Sequence, residues 1–175
     1  MKTIGLVLSA LLLGGCTGKP DNVVPVEHFD SARYLGTWYE IARLDHRFEK
    51  GLSRVSATYS LRDDGGLKVV NRGYKDADAL WKEAVGKAYF MQRPDLAYLK
   101  VSFFGPFYGA YIVFDLDQDY RYSMVSGPDK SYLWLLSRTP AMDTTTKKRL
   151  VAKAQALGFD TSALIFVDQG AVPAP

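Results

Sequence analysis

The chain has 175 residues, 22 lysines and arginines against 19 aspartates and glutamates, a formal net charge of +3 at pH 7 and one cysteine. That length suits one domain with a sizeable core, and the small, scattered positive excess gives no argument for nucleic acid. A single cysteine closes no intrachain disulfide, so packing alone must hold the fold together.

The N-terminus reads Met1-Lys2, an almost unbroken apolar run from Ile4 to Leu13, then Gly14-Gly15-Cys16. A basic start, a short apolar core and small residues before a cut site describe a secretory signal over residues 1–15. The run falls short of the roughly 20 apolar residues that a spanning helix needs. Leu13-Gly14-Gly15-Cys16 resembles the lipobox of bacterial lipoproteins. The resemblance implies cleavage before Cys16, a diacylglycerol group on its sulfur and acylation of the new N-terminus; the alternative is an ordinary signal followed by a free thiol. Without Lys2, 21 basic and 19 acidic side chains remain, a net charge near +2. Residues 16–28 carry two prolines and no periodic pattern, and are expected to be the lipidated N-terminus and a tether.

Short β-type runs follow, at about 37–44, 53–62, 67–75, 80–91, 97–104, 109–117, 120–127 and 131–138. They are separated by turn chemistry such as Asp63-Asp64-Gly65-Gly66, Arg93-Pro94-Asp95, Asp117-Gln118-Asp119 and Gly127-Pro128-Asp129-Lys130. The second run alternates most clearly, with Val55, Ala57, Tyr59 and Leu61 between polar neighbours, as a half-buried antiparallel strand should. Turn spacing fits an all-β sandwich or barrel, and short links favour an up-and-down meander.

After Pro140 a helix is expected, capped by Asp143 or Thr144 and stopped at Gly158. Leu150, Val151, Ala154 and Leu157 share one face of it. That face needs an apolar surface, which the last strand offers, since Leu133 and Leu135 point opposite to Trp134 and Leu136 and one pair can face outward beneath the helix. Residues 169–175 read as a flexible tail.

Gly36-Thr37-Trp38 opens the first strand, Asp117-Gln118-Asp119-Tyr120 lies between the sixth and seventh, and Arg138 ends the eighth before the helix. With these markers in order, residues 29–168 resemble a lipocalin, and specifically the bacterial outer-membrane lipocalins. The resemblance implies a closed eight-stranded antiparallel up-and-down barrel with the C-terminal helix packed outside. Alternating connections bring all three markers to one end, where the Arg138 guanidinium can stack on the Trp38 indole, an attraction of about 0.5–2 kcal/mol. Gly36, Trp38 and Arg138 are therefore structural. The opposite end collects Phe48, Trp81, Phe107 and Tyr108 as a mouth, either a rim for ligand access or local packing, and a place where two copies could dimerise.

Eight strands enclose room for side chains or one small ligand. With Trp38 inward, Glu40, Ala42 and Leu44 are expected to face in, along with Val55, Ala57, Tyr59, Leu99, Val101 and Phe103. Tyr111, Val113, Tyr122, Met124 and Trp134 complete the expected lining, apolar enough for an acyl chain, although a filled barrel is the alternative. A carboxylate at Glu40 is costly unless paired. It has either a structural role, hydrogen-bonded to a tyrosine, Asn71 or Arg138 or exposed by an alternate parity, or a role in selecting a polar or cationic head group.

Catalytic and metal signals are thin. His28 and His46 form no zinc-type spacing, and no Gly-x-Ser-x-Gly occurs. Asp115, Asp117 and Asp119 imitate a calcium loop, but Tyr120 and Ser126 stand where its glycine and glutamate belong. No cofactor and no enzymatic activity are expected. The resemblance implies binding of fatty acids or lysophospholipids, for storage or transport in envelope maintenance under stress, with Cys16 holding the chain at the outer membrane, periplasmic face. The alternatives are an envelope interaction protein with a filled barrel, and a lipid-modifying enzyme using Glu40.

Overall fold

Each alternating run forms a strand in the computed structural model, which describes residues 17–171. The expected signal at 1–15, the anchor Cys16 and residues 172–175 lie outside the described residues. The strands are β1 (Gly36–Arg43), β2 (Leu52–Leu61), β3 (Leu67–Lys75), β4 (Leu80–Phe90), β5 (Tyr98–Ser102), β6 (Gly109–Leu116), β7 (Tyr122–Ser126) and β8 (Leu133–Ser137). Successive strands pair antiparallel, β8 pairs with β1, and β1 pairs with β2, so the sheet closes into a barrel. A short helix α1 (Ser31–Tyr34) precedes β1, with the Asp30 carboxylate accepting from the Ala32 amide at 2.9 Å.

Helix α2 (Thr144–Ala156) lies outside the barrel, as the sequence predicts. Asp143 caps it by accepting from the Thr146 amide at 2.8 Å, and Gly158 follows its end with φ +81°. Leu150 and Ala154, both fully buried, pack with Leu133, Leu135, Met124 and Ile112 in an outer cluster between helix and sheet. The last strand is therefore apolar on both faces, one serving the barrel interior and the other the helix.

A ninth strand, β9 (Ile165–Phe166), adds to the outer edge of β1. Its position follows from irregularities in β1 and β2. Pairing of β1 with β2 stops at Tyr39↔Ser56, where β2 bulges between Ser53 and Ser56 and Arg54 adopts φ +53°. The chain beyond α2 closes this gap. The Gln169 side-chain amide donates to the carbonyls of Glu40 and Val55, each at 2.8 Å. The Arg54 guanidinium donates to the carbonyls of Gly170 and Ala171, each at 2.9 Å. Residues 169–171, expected to be a free tail, are held against the wall.

The expected tether is also packed. Val23 is fully buried in the outer cluster and the Val26 amide donates to the Val113 carbonyl at 2.9 Å, and just past the tether Phe29 is buried in the inner cluster. Valine and phenylalanine side chains spaced along an aperiodic segment still gain from burial when a barrel surface is within reach.

Candidate functional site: the barrel interior and its mouth

The floor is built from the three sequence markers. The Arg138 guanidinium carbon lies 4.0 Å from the Trp38 ring centroid. That guanidinium also donates to the carbonyls of Arg33, Thr37 and Tyr120, at 2.6, 3.1 and 3.2 Å. The Trp38 indole N–H donates to the Tyr34 carbonyl at 2.9 Å, which ties β1 to α1. Gly36 has φ +89°, and a Cβ there would stand 3.4 Å from Arg138 Nη1. That contact is ordinary van der Waals packing, so it is the left-handed backbone that calls for glycine here. The Asp117 carboxylate accepts from the Asp119 and Arg121 amides, each at 3.2 Å, and from Arg121 Nε at 2.7 Å. These bonds, led by the one from the Arg121 side chain, hold its carboxyl down at about 2. The aspartates here shape a turn.

Above the floor an apolar cavity of about 80 Å³ runs from Phe29 and Tyr34 up to Phe48 and Phe103. It opens into a cleft of about 830 Å³ at the mouth, the two sharing Val55, Asn71, Val101 and Trp134. The barrel is therefore hollow rather than filled. Of the expected lining, Glu40, Val55, Ala57 and Tyr59 line this cavity from β1 and β2. Leu99, Val101, Phe103, Tyr111 and Trp134 line it from the other side. Val113 is fully buried in the inner cluster but does not reach the cavity.

Four inward assignments are corrected. Ala42 and Leu44 face outward, in the cluster under α2. The cause is a bulge in β1 between Glu40 and Ala42, where the extra residue reverses every later side chain. Tyr122 also faces outward, with Arg149 of α2 5.3 Å over its ring, and Met124 lies beside it in the outer cluster. Register decides this: Val125 pairs with Trp134, so Val125 shares the inward face and its neighbours take the other.

The same bulge turns Arg43 inward, where it pairs with Trp134 across β1 and β8. Arg43 Nη1 donates to Glu40 Oε1 at 2.7 Å, and Nη2 donates to the carbonyls of Glu49 and Leu52 at 3.0 and 3.2 Å. Glu49, on the loop after β1, accepts from the Trp134 indole N–H at 3.0 Å. Burial raises the Glu40 carboxyl well above its ordinary value, the Glu49 charge adds to this, and Arg43 opposes it. Burial likewise raises Glu49. Two carboxyls thus share one guanidinium just under the mouth. Glu40 has a structural partner, but Arg43 rather than a tyrosine, Asn71 or Arg138. Neither Arg43 nor Glu49 was expected; the adjacent apolar pair Ile41-Ala42, which breaks alternation, is the signal that could have found them.

At the mouth Phe48 is 59 % exposed and Phe107 71 %, joined by Phe104 at 77 %. Phe48 stacks on His46, which also stacks on Tyr132. Burial, with Arg43 nearby, lowers the His46 imidazole to about 4. Tyr108 borders the cleft with Lys100 5.0 Å from its ring. Trp81, expected at the rim, lies on the outer wall instead, under the Arg72 guanidinium at 4.1 Å and edge-on to Tyr74. Its pairing with Tyr74 across β3 and β4 places it on the face opposite the cavity. Among the described residues, no group of three or more His, Cys, Asp or Glu side chains could hold a metal ion.

A closed meander with an arginine stacked on a tryptophan at its floor, and an apolar interior open at the other end, defines a lipocalin-type barrel. The model of the Lipocalin-like domain matches residues 29–169, and the chain belongs to the lipocalin family. It is 54% identical over 170 residues to Outer membrane lipoprotein Blc of Vibrio cholerae, covering 97% of this chain and 99% of the relative. It is 53% identical over 168 residues to the protein of the same name from Escherichia coli, covering 95% of each. The chain is accordingly an outer-membrane lipoprotein. Among solved structures, insecticyanin from Manduca sexta superposes with a TM-score of 0.66 at 22% identity over 86% of each chain, a likeness of fold.

Proposed function

We propose that the chain is a carrier that holds a fatty acid, or the acyl chain of a lysophospholipid, in the barrel with the head group at the mouth. The observation that carries this reading is the continuous apolar cavity between a closed floor and an open aromatic lip. Each methylene buried there contributes about 0.8 kcal/mol, so useful affinity needs no catalytic group. The role is binding for storage or transport in envelope maintenance under stress. Acylated Cys16 tethers the chain to the periplasmic face of the outer membrane.

Three acceptors favour a head group that donates hydrogen bonds or carries a cation. Glu40 and Glu49 outnumber Arg43, and Asn71 Oδ1 is buried on the cavity wall without a partner among the described residues. A lysophospholipid offers a free glycerol hydroxyl and, in some classes, an ammonium group. The test is native mass spectrometry of the full chain after delipidation and exposure to single lipids. One bound fatty acid or lysophospholipid per chain is expected; a chain that takes up neither would overturn the carrier reading. Glu40→Gln in competition between zwitterionic and anionic lysophospholipids tests the head-group role, and an unchanged preference would end it. The exposed Phe48, Phe104 and Phe107 also make the lip the surface through which two copies would pair.

A further inference from the structure

At the lower end of the cavity four hydroxyls form an unbranched chain. Ser123 Oγ lies 3.3 Å from the Tyr34 hydroxyl, which lies 2.9 Å from that of Tyr111, which lies 2.8 Å from that of Tyr59. Four hydrogens serve three contacts, so one hydrogen has no acceptor within the chain. Ser123 is fully buried and does not line the cavity, and Tyr34 is the one acceptor the structure gives its hydroxyl among the described residues. A buried donor left unmade is expensive, so Ser123 donates to Tyr34. Tyr34 must then donate to Tyr111 and Tyr111 to Tyr59. The surplus hydrogen therefore falls on Tyr59, whose hydroxyl borders the cavity and has Tyr111 as its one hydrogen-bond partner among the described residues.

The remaining wall at this depth is apolar, including Leu67, Val69, Ala88 and Leu99. A methyl-ended chain reaching the floor would bury the Tyr59 O–H without an acceptor. A carboxylate there would meet no cation lining the cavity at that depth, and an unpaired buried charge costs far more than an unpaired hydroxyl. We infer that Tyr59, oriented through Tyr111, Tyr34 and Ser123, is a specificity site for a neutral oxygen, a hydroxyl or carbonyl, at the far end of the bound acyl chain. The class of ligand is an oxygenated acyl lipid whose head stays at the mouth. This rests on the carrier reading and deepens it.

The experiment offers the full chain an equimolar mixture of palmitic acid and its ω-hydroxylated analogue, with the bound ratio read by native mass spectrometry. The expected ratio favours the hydroxylated acid by roughly three- to tenfold, the worth of one net hydrogen bond. Tyr59→Phe should bring the ratio to about one or below. Ser123→Ala, which touches no ligand, should lower the ratio partway, because the direction of donation along the tyrosines is no longer imposed. A thermal melt by circular dichroism confirms that both variants fold, and if Tyr59→Phe does not, Ser123→Ala alone decides. An equal ratio in the parent, or a preference that survives in the folded variants, would overturn the inference while leaving the carrier reading intact. Weaker binding of palmitic acid itself to Tyr59→Phe would show its carboxyl at the floor, and would overturn the assignment of a neutral oxygen. Failure of either acid to bind would count against the carrier reading instead.

Discussion

Arg43 and Glu40 form a buried ion pair, Nη1 to Oε1 at 2.7 Å, with side chains 2% and 4% exposed. They are three apart in sequence and meet inside the barrel because the strand between them carries an extra residue. The guanidinium also holds the backbone of the loop after β1 through the Glu49 and Leu52 carbonyls.

Removing the cation should cost more than removing the anion. Arg43→Met leaves the buried Glu40 carboxyl and the Glu49 and Leu52 carbonyls without their donor, and should destabilise the chain by about 3–5 kcal/mol, read by urea denaturation. Glu40→Gln keeps an oxygen acceptor for Arg43 and should cost much less. Its effect should appear in the pH profile. Folding raises the Glu40 carboxyl above 4.5, so the folded chain binds the extra proton. Its contribution is fully present below about pH 4.5 and is lost as pH rises through the folded value. Glu40→Gln should flatten that descent; an unchanged profile would contradict the assignment.

His46 should act in the opposite sense. Its imidazole falls from 6.5 to about 4 on folding, so the unfolded chain binds more protons between those values. Stability from this residue is present above about pH 6.5 and is lost as pH falls toward 4. A titration followed by nuclear magnetic resonance should place the His46 midpoint near 4. His46→Phe, which preserves stacking with Phe48 and Tyr132, should remove that part of the acid sensitivity.

Arg138→Ala should destabilise the fold by roughly 2–4 kcal/mol, since it removes a cation–π contact and the donor to three carbonyls. Arg138→Lys should restore less than half of this, because an ammonium lacks the planar fork that reaches all three. Chemical denaturation checks both, and full rescue by lysine would reduce the arginine to a point charge.

Filling the cavity tests the interior directly. Ala57→Phe places a ring in the apolar space bounded by Val55, Tyr59 and Val101. It should cut acyl-chain uptake at least tenfold on the scale of about 1.5–3 kcal/mol for a buried aromatic side chain. The melting temperature should change little if the ring occupies the ligand's space. Normal uptake by this variant would mean that the chain binds elsewhere.

The lip can be separated from the interior. Phe104→Ser with Phe107→Ser removes exposed apolar surface without touching the ion pair or the floor. The pair of changes should abolish self-association in sedimentation velocity if two copies meet through the lip, while stability stays within about 0.5 kcal/mol. Persistent dimers would place the contact elsewhere.

Much of the fold is a local matter and was legible in the chain. Alternation within β2, turn residues between runs, the cap at Asp143 and the Leu150–Ala154 stripe each express backbone and burial preferences over a few residues. The markers Gly36, Trp38 and Arg138 also identify the closed end, because an up-and-down meander returns to it at every second turn. The packing of Val23 and Phe29, and the clasp of Gln169 on Glu40 and Val55, could not be read from those segments. Both depend on surfaces that exist only once the barrel has closed.

By itself, the sequence determined that an antiparallel β-meander with a helix after its last strand would form, since side-chain period and turn chemistry act within each strand. Tertiary structure decided which residues the hollow presents. One bulge after Glu40 exchanged Ala42 for Arg43, and pairing of Val125 with Trp134 sent Tyr122 and Met124 outward. A strand's two faces are equivalent until a neighbour fixes its register, and a single inserted residue exchanges them. The chemistry of the interior is therefore a property of the closed sheet.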